Sequence, residues 1–170
     1  MNTLIKNGRI VSHDNEQIKV DLWVKDGKIH AIGEDFSNNE FEQVIDAKGQ
    51  LITPGLVDVH VHFREPGFTY KETIHTGALA SAKGGFTSVI CMANTSPTVD
   101  SVPVLKDNLS RASKEKIRIF QAASISCNLK GQEETDMDAL KKAGACGFTD
   151  DGIPLLNAEF CFHAMEKAAK

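Results

Sequence analysis

Six polar side chains at three places along this chain could do chemistry together: His60, His62 and Arg64, then Asn94, then Asp150 and Asp151. The first three lie in Val57-Asp58-Val59-His60-Val61-His62-Phe63-Arg64, an apolar strand pattern carrying polar residues at every second position. Strand side chains alternate faces, so His60, His62 and Arg64 are predicted to point one way while Val59, Val61 and Phe63 fill the other face. Adjacent imidazoles pack poorly but suit a borderline metal such as zinc. An arginine beside them suits a carboxylate-bearing substrate, because its planar fork donates two parallel hydrogen bonds. Asp151 adds a carboxylate able to bind one metal ion or bridge two, and a bound metal brings the pKa of water down toward about 7. Each group also has an ordinary reading: satisfied histidines on a strand, an arginine in a surface ion pair, and turn residues at Asn94 and Asp150-Asp151-Gly152. What favours chemistry is that all six fall at the ends of successive predicted strands.

Those strands belong to a repeating rhythm. Residues 56–63 read as a strand, 71–83 as a helix stopped by Gly84-Gly85, 86–92 as a second strand and 102–113 as a second helix. A third strand over 117–124, a third helix over 137–143 ended by Gly144, a short fourth strand over 145–148 and a fourth helix over 157–170 complete the pattern. Four strand-then-helix units with Val/Ile-rich strands predict a parallel sheet wrapped by helices. Catalytic groups of such barrels sit at the C-terminal strand ends, which is where all six residues fall. A closed (β/α)8 barrel takes eight strands and roughly 250 residues. This chain has 170 residues and stops inside a helical pattern, so it reads as the N-terminal part of a longer polypeptide; a complete doubly wound domain is the rival.

Before Gly55 the chain has a different character. Residues 4–11 carry an Asn7-Gly8 turn signal, residues 21–33 read as a hairpin around Asp26-Gly27, and 44–52 adds extended chain. This part predicts a piece of a small β-sandwich. The expected domains are residues 1–52, the N-terminal part of that sandwich, and 53–170, the first four β/α units of a barrel.

Bulk properties narrow the function. The net charge is −4 with dispersed charges, which argues against nucleic acid or an anionic membrane as partner. No apolar run approaches the roughly 20 residues that span a bilayer, and the N-terminus lacks a secretory h-region. Cys91, Cys127, Cys146 and Cys161 are scattered, which predicts buried thiols rather than disulfides. The expected setting is cytoplasmic. His13, His30, His75 and His163 lie away from the predicted strand ends and are read as structural.

The run from Pro54 to Gly67, with its H-x-H-x-R-E-P-G core, resembles the signature of the dihydroorotases of the amidohydrolase superfamily, most closely the class I branch. Lys71-Glu72-Thr73-Ile74, Gly84-Gly85-Phe86-Thr87, Met92-Ala93-Asn94-Thr95 and Phe148-Thr149-Asp150-Asp151-Gly152 continue the likeness in order. The resemblance implies an α/β fold, the first half of a metal-dependent (β/α)8 barrel preceded by part of a small β-sandwich. It implies reversible interconversion of N-carbamoyl-L-aspartate and L-dihydroorotate in pyrimidine biosynthesis, with one or two zinc ions per site. By it His60, His62 and Asp151 are metal ligands, and Arg64 and Asn94 bind the substrate carboxylate. Further histidine ligands and the proton-shuttle aspartate are expected beyond residue 170, so no catalytic proton-transfer residue is assigned within the chain. These 170 residues alone are therefore expected to be inactive and poorly folded, since half a barrel leaves strand edges open. A small-molecule substrate, a homodimer and association with aspartate carbamoyltransferase are the expected partners. Two alternatives stand beside this reading. One is a hydantoinase- or allantoinase-like enzyme, whose bridging ligand is a carboxylated lysine where this chain has Asp151. The other is a non-catalytic scaffold for aspartate carbamoyltransferase, of a kind that generally loses its metal ligands. The chain departs from the family pattern at Ala93, where proline is usual.

Overall fold

The computed structural model describes residues 1–11, 14, 17–33, 35–36 and 38–169; the structural reading of His13 lies outside them. The chain divides into two compact units, Met1–Pro54 and Gly55–Lys170.

The first unit is a four-stranded sheet in the order β3-β2-β1-β4, formed by β1 (Asn2–Val11), β2 (Gln17–Lys25), β3 (Lys28–Gly33) and β4 (Gln43–Asp46). β1 pairs antiparallel with β2 and parallel with β4. Asp26-Gly27 makes the expected two-residue hairpin turn, with φ of +50° and +73°, the left-handed pair that a tight right-twisted hairpin requires. Asn7-Gly8 does not turn the chain. Asn7 has φ +57° inside β1, and the pairing with β2 shifts register between Ile5 and Gly8. The dipeptide is a bulge. The amide of Asn7, turned out of the ladder, donates to Asp21 Oδ1 at 2.8 Å, and Gly8 leaves room for Ile52, whose Cδ1 would lie 2.2 Å from a Cβ there. Leu4, Val20 and Leu22 are buried here, and the Trp23 ring sits edge-on to His30 and Phe41, with centroids 4.4 and 5.5 Å away.

The second unit carries a parallel sheet in the order β5-β6-β7, with β5 (Leu56–Val61), β6 (Phe86–Cys91) and β7 (Arg118–Gln121). Its helices are α1 (Ile74–Lys83), α2 (Val102–Ala112), α3 (Met137–Ala143) and α4 (Ala158–Ala168). The expected fourth strand is a minimal one: Phe148 bridges Ala123 in parallel, and the amides of Cys146, Ala123 and Thr149 bond Gln121 O, Gly147 O and Ala123 O at 2.9–3.0 Å. Helix α1 starts three residues later than its apolar spacing predicts. Thr73 caps it reciprocally with Thr76, each hydroxyl accepting the other residue's amide at 3.0 Å. Its end is the predicted one, with Gly85 at φ +85°, and α3 stops at left-handed Gly144, φ +112°.

Two apolar clusters join the sheet to its helices. Phe63, Ile74, Ala78, Val89, Cys91, Ala112 and Ile117 form one, and Ala93, Val99, Leu105, Ala123 and Leu140 the other. Phe63 and Val61 pack into the first as expected, but Val59 is 64% exposed. The reason is that α1 and α2 cover only part of β5 among the described residues, so alternation alone does not bury that side. All four cysteines are free thiols, and burial is narrower than expected: Cys91 is buried, Cys127 and Cys161 partly so, and Cys146 exposed.

The loops after β5 and β6 are locked together where the site forms. Pro66 follows a cis bond, as does Pro97, and Ser96 N donates to Pro66 O at 3.2 Å. Gly67 has φ +90°, and a Cβ there would lie 2.1 Å from Ser96 O, so no other residue fits this approach. Glu65 ties the same loop to the helices: Oε2 accepts from Ile74 N at 2.9 Å, at the N-terminus of α1, and Oε1 takes Arg111 Nη1 of α2 at 2.7 Å.

Candidate metal centre

The end of β5 presents both histidines to one point. The ladder to β6 is irregular between Asp58 and Val61, and the amide of His60 instead donates to Asp58 Oδ1 at 3.0 Å. Asp58 was not among the sequence candidates, although it shares the face of His60 and His62 by the same period of two. Met92 N donates to Val61 O at 3.0 Å, which continues the β5–β6 ladder and sets Asn94 two residues further along. The Gln121-to-Thr149 ladder does the same for Asp151, whose amide donates to Thr149 Oγ1 at 3.1 Å.

These side chains meet. His60 Nε2 and His62 Nε2 are 3.3 Å apart. Asp151 Oδ1 is 3.0 Å from His60 Nε2, and Oδ2 is 3.5 Å from His62 Nε2. The three residues offer ligand atoms that all lie within 4.8 Å of one another. Asn94 closes the cluster, with Oδ1 3.0 Å from His62 Nδ1 and Nδ2 donating to Asp151 Oδ2 at 2.9 Å. Asp151 is 12% exposed, His62 28% and His60 54%, so the group opens to one side. A shallow cleft of about 460 Å³ runs along Asp151, lined by Ile125, Thr149, Gly152, Ile153 and Leu155 among others.

The donor set fits a metal. A tetrahedral centre with bonds of about 2.0–2.1 Å holds its ligand atoms about 3.3–3.4 Å apart; the two Nε2 atoms are 3.3 Å apart, and the carboxylate spans them with one oxygen 3.0 Å from His60 and the other 3.5 Å from His62. The meeting depends on curvature. β5 and the strand before Asp151 are three strand spacings apart, about 14 Å in a flat sheet, more than a histidine and an aspartate span. The strand ends therefore curl toward one another.

The paired aspartates separate cleanly. Asp150 is 4% exposed and accepts from Ile125 N at 2.7 Å, Ser126 N at 3.0 Å and Ser126 Oγ. It shapes the loop after β7. Asp151 alone faces the histidines. Arg64 follows β5 on the loop bound by Phe68 N to Arg64 O at 2.9 Å. Its guanidinium makes no hydrogen bond or ion pair among the described residues, so the structure brings His60, His62, Asn94 and Asp151 together without tying Arg64 to them. His75 pairs with Glu115 at 3.1 Å and His163 lies on exposed α4, away from the cluster.

Fold and site together define an α/β protein with a candidate metal centre at the C-terminal ends of parallel strands. The chain belongs to the dihydro-orotase-like family, which its residues 49–170 match. It is 51% identical over 170 residues to a dihydroorotase of Enterococcus faecalis, covering 99% of this chain and 40% of that protein. To a dihydroorotase of Clostridioides difficile it is 49% identical over 166 residues, covering 97% of this chain and 39% of that one. Among solved structures it is similar to an L-hydantoinase (dihydropyrimidinase) from Arthrobacter aurescens. That likeness has a TM-score of 0.79 and 26% identity, covering 99% of this chain and 38% of that one. The chain thus spans about 40% of the length of the curated relatives it matches. Among the described residues no helix is long and apolar enough to cross a membrane.

Proposed function

We propose that this chain supplies part of the active site of a zinc-dependent cyclic amidohydrolase, a dihydroorotase, which interconverts N-carbamoyl-L-aspartate and L-dihydroorotate in pyrimidine biosynthesis. The observation that carries the reading is the His60, His62 and Asp151 cluster, whose ligand atoms lie within 4.8 Å of one another, close enough to share one metal ion. Relatives named dihydroorotase, about half identical over nearly the whole chain, support this choice of reaction. The curl that brings Asp151 to His60 across three strand spacings supports a (β/α)8 barrel, and the first unit is read as part of a small β-sandwich.

His60 and His62 would hold zinc through their ring nitrogens and Asp151 through its carboxylate. Zinc, when bound, supplies Lewis acidity that polarises the ring amide carbonyl and makes water nucleophilic near neutral pH. Asp58 fixes the backbone of His60, and the Glu65, Gly67 and Ser96 contacts hold the rim. Arg64, whose guanidinium is free of competing partners among the described residues, binds the substrate carboxylate as a bidentate fork. The proton shuttle and remaining ligands belong to the length that the relatives have beyond this match.

The solved-structure likeness favours one second reading, a hydantoinase-like enzyme. Asp151 stands where the resemblance puts a carboxylated lysine in that branch, and hydantoin lacks the carboxylate that Arg64 would bind. The test is zinc content and turnover of the full chain on dihydroorotate and on hydantoin. Zinc present in the wild type, lost in His60→Ala/His62→Ala, with turnover of dihydroorotate alone, is the expected result. Unchanged zinc in the double variant overturns the metal site, and turnover of hydantoin alone overturns the substrate.

A further inference from the structure

We infer that Asn94 is a positioning residue of the metal centre, one that selects the metal-binding tautomer of His62 and holds Asp151 against it. The inference rests on the reading of His60, His62 and Asp151 as zinc ligands. It differs from the role that family resemblance gives Asn94, binding the substrate carboxylate.

The carboxylate of Asp151 fixes the orientation of the Asn94 amide. An ionised aspartate only accepts hydrogen bonds. The Asn94 side-chain atom 2.9 Å from Asp151 Oδ2 must therefore be the amide nitrogen. The opposite orientation would set a carbonyl oxygen against a carboxylate oxygen, two acceptors with no hydrogen between them. Asn94 Oδ1 is then the atom 3.0 Å from His62 Nδ1. A carbonyl oxygen cannot donate, so Nδ1 carries the hydrogen. In a neutral imidazole that leaves the lone pair on Nε2, the atom 3.3 Å from His60 Nε2 and 3.5 Å from Asp151 Oδ2. One amide thus bridges Asp151 and His62 and leaves His62 in the tautomer that metal binding needs. Histidine ligands are commonly oriented in this way through their second ring nitrogen. Here the same partner also orients a second ligand. Asn94 has a fixed seat for the task, between fully buried Ala93 and Thr95, whose hydroxyl donates to Pro97 O at 2.7 Å.

The experiment uses the full chain as wild type, Asn94→Leu, which keeps the size and removes both bonds, and Asn94→Asp, which keeps an acceptor for Nδ1. Zinc affinity is measured by competition with a chromophoric chelator. The tautomer of His62 is read in metal-free protein by 15N imidazole NMR at a pH where the ring is neutral. Wild type is expected to carry its hydrogen on Nδ1 before any metal is added. Asn94→Leu is expected to lose that preference and to bind zinc about 10- to 100-fold more weakly, the usual cost of removing an outer partner of a ligand. Asn94→Asp is expected to keep Nδ1–H. A purely substrate-binding Asn94 would raise KM and leave zinc affinity within twofold; that result, or Nε2–H in the metal-free wild type, overturns the inference. A wild type that binds no zinc would instead overturn the metal reading itself, and the tautomer measurement separates the two because it needs no metal.

Discussion

Asp150 and Asp151 are neighbours with the same side chain, and the structure gives them opposite predicted phenotypes. Asp150 is 4% exposed and accepts from two backbone amides, Ile125 N at 2.7 Å and Ser126 N at 3.0 Å, and from Ser126 Oγ. Asp150→Ala strands those donors. A buried donor left without an acceptor costs about 1–3 kcal/mol. Ile125 is only partly buried and the three losses share one loop, so their sum is about 3–5 kcal/mol rather than the full total. Asp150→Asn keeps one carbonyl acceptor and is expected to cost about 1–2 kcal/mol. Asp151→Ala, partly exposed and bonded chiefly to Asn94, is expected to change stability by about 1 kcal/mol or less while zinc binding is lost. The assay is urea unfolding of metal-free full chain followed by far-UV circular dichroism, alongside zinc stoichiometry of the folded protein. The reasoning is refuted if Asp150→Ala leaves stability intact and abolishes zinc, or if Asp151→Ala binds zinc as the wild type does.

Three further expectations follow from the same geometry. Arg64→Lys is expected to raise KM for dihydroorotate about tenfold, because a point charge replaces the bidentate fork; steady-state kinetics showing a wild-type KM would remove Arg64 from the substrate site. Gly77→Ala puts a Cβ 2.4 Å from the buried Phe63 ring, and this overpacking outweighs the helix-propensity gain of about 1 kcal/mol to leave a net loss of about 1–2 kcal/mol; an unchanged or raised Tm would show that the ring yields. Burial pushes the pKa of the Cys91 thiol up to about 12, so at about pH 8.5 it should resist a thiol reagent until the protein unfolds. The unfolded chain then loses that proton near pH 9 while the folded one keeps it, so Cys91 lowers stability as pH rises above about 9; a Cys91→Ala variant with the same alkaline decline would contradict this.

Local chemistry was readable wherever it depended on neighbours in the chain. The Asp26-Gly27 turn, the stops at Gly85 and Gly144 and the alternation that aims His60 and His62 together all come from backbone preferences within a few residues. Where a distant segment decides, the same signals misled or fell silent. Asn7-Gly8 has the composition of a turn yet is a bulge inside β1, where pairing with β2 continues on both sides and Asn7 N donates to Asp21 Oδ1. Thr73 and Glu65 together start α1 at Ile74, although Lys71 already suits the helical spacing. Val59 has the alternation of a packed residue and lies exposed.

The candidate site divides along the same line. By itself the sequence determined that His60 and His62 share a face, and that Asn94, Asp150 and Asp151 follow later strands. Family resemblance already singled out Asp151 of the pair; only the tertiary structure decided that Asp150 is taken up by the loop after β7, that Asn94 lies between His62 and Asp151, and that Glu65 belongs to the helices. The physical reason is range. A period of two orients side chains within one strand, but whether strands three spacings apart bring their ends together depends on how the sheet curls, and that is set by the helices and loops packed against it.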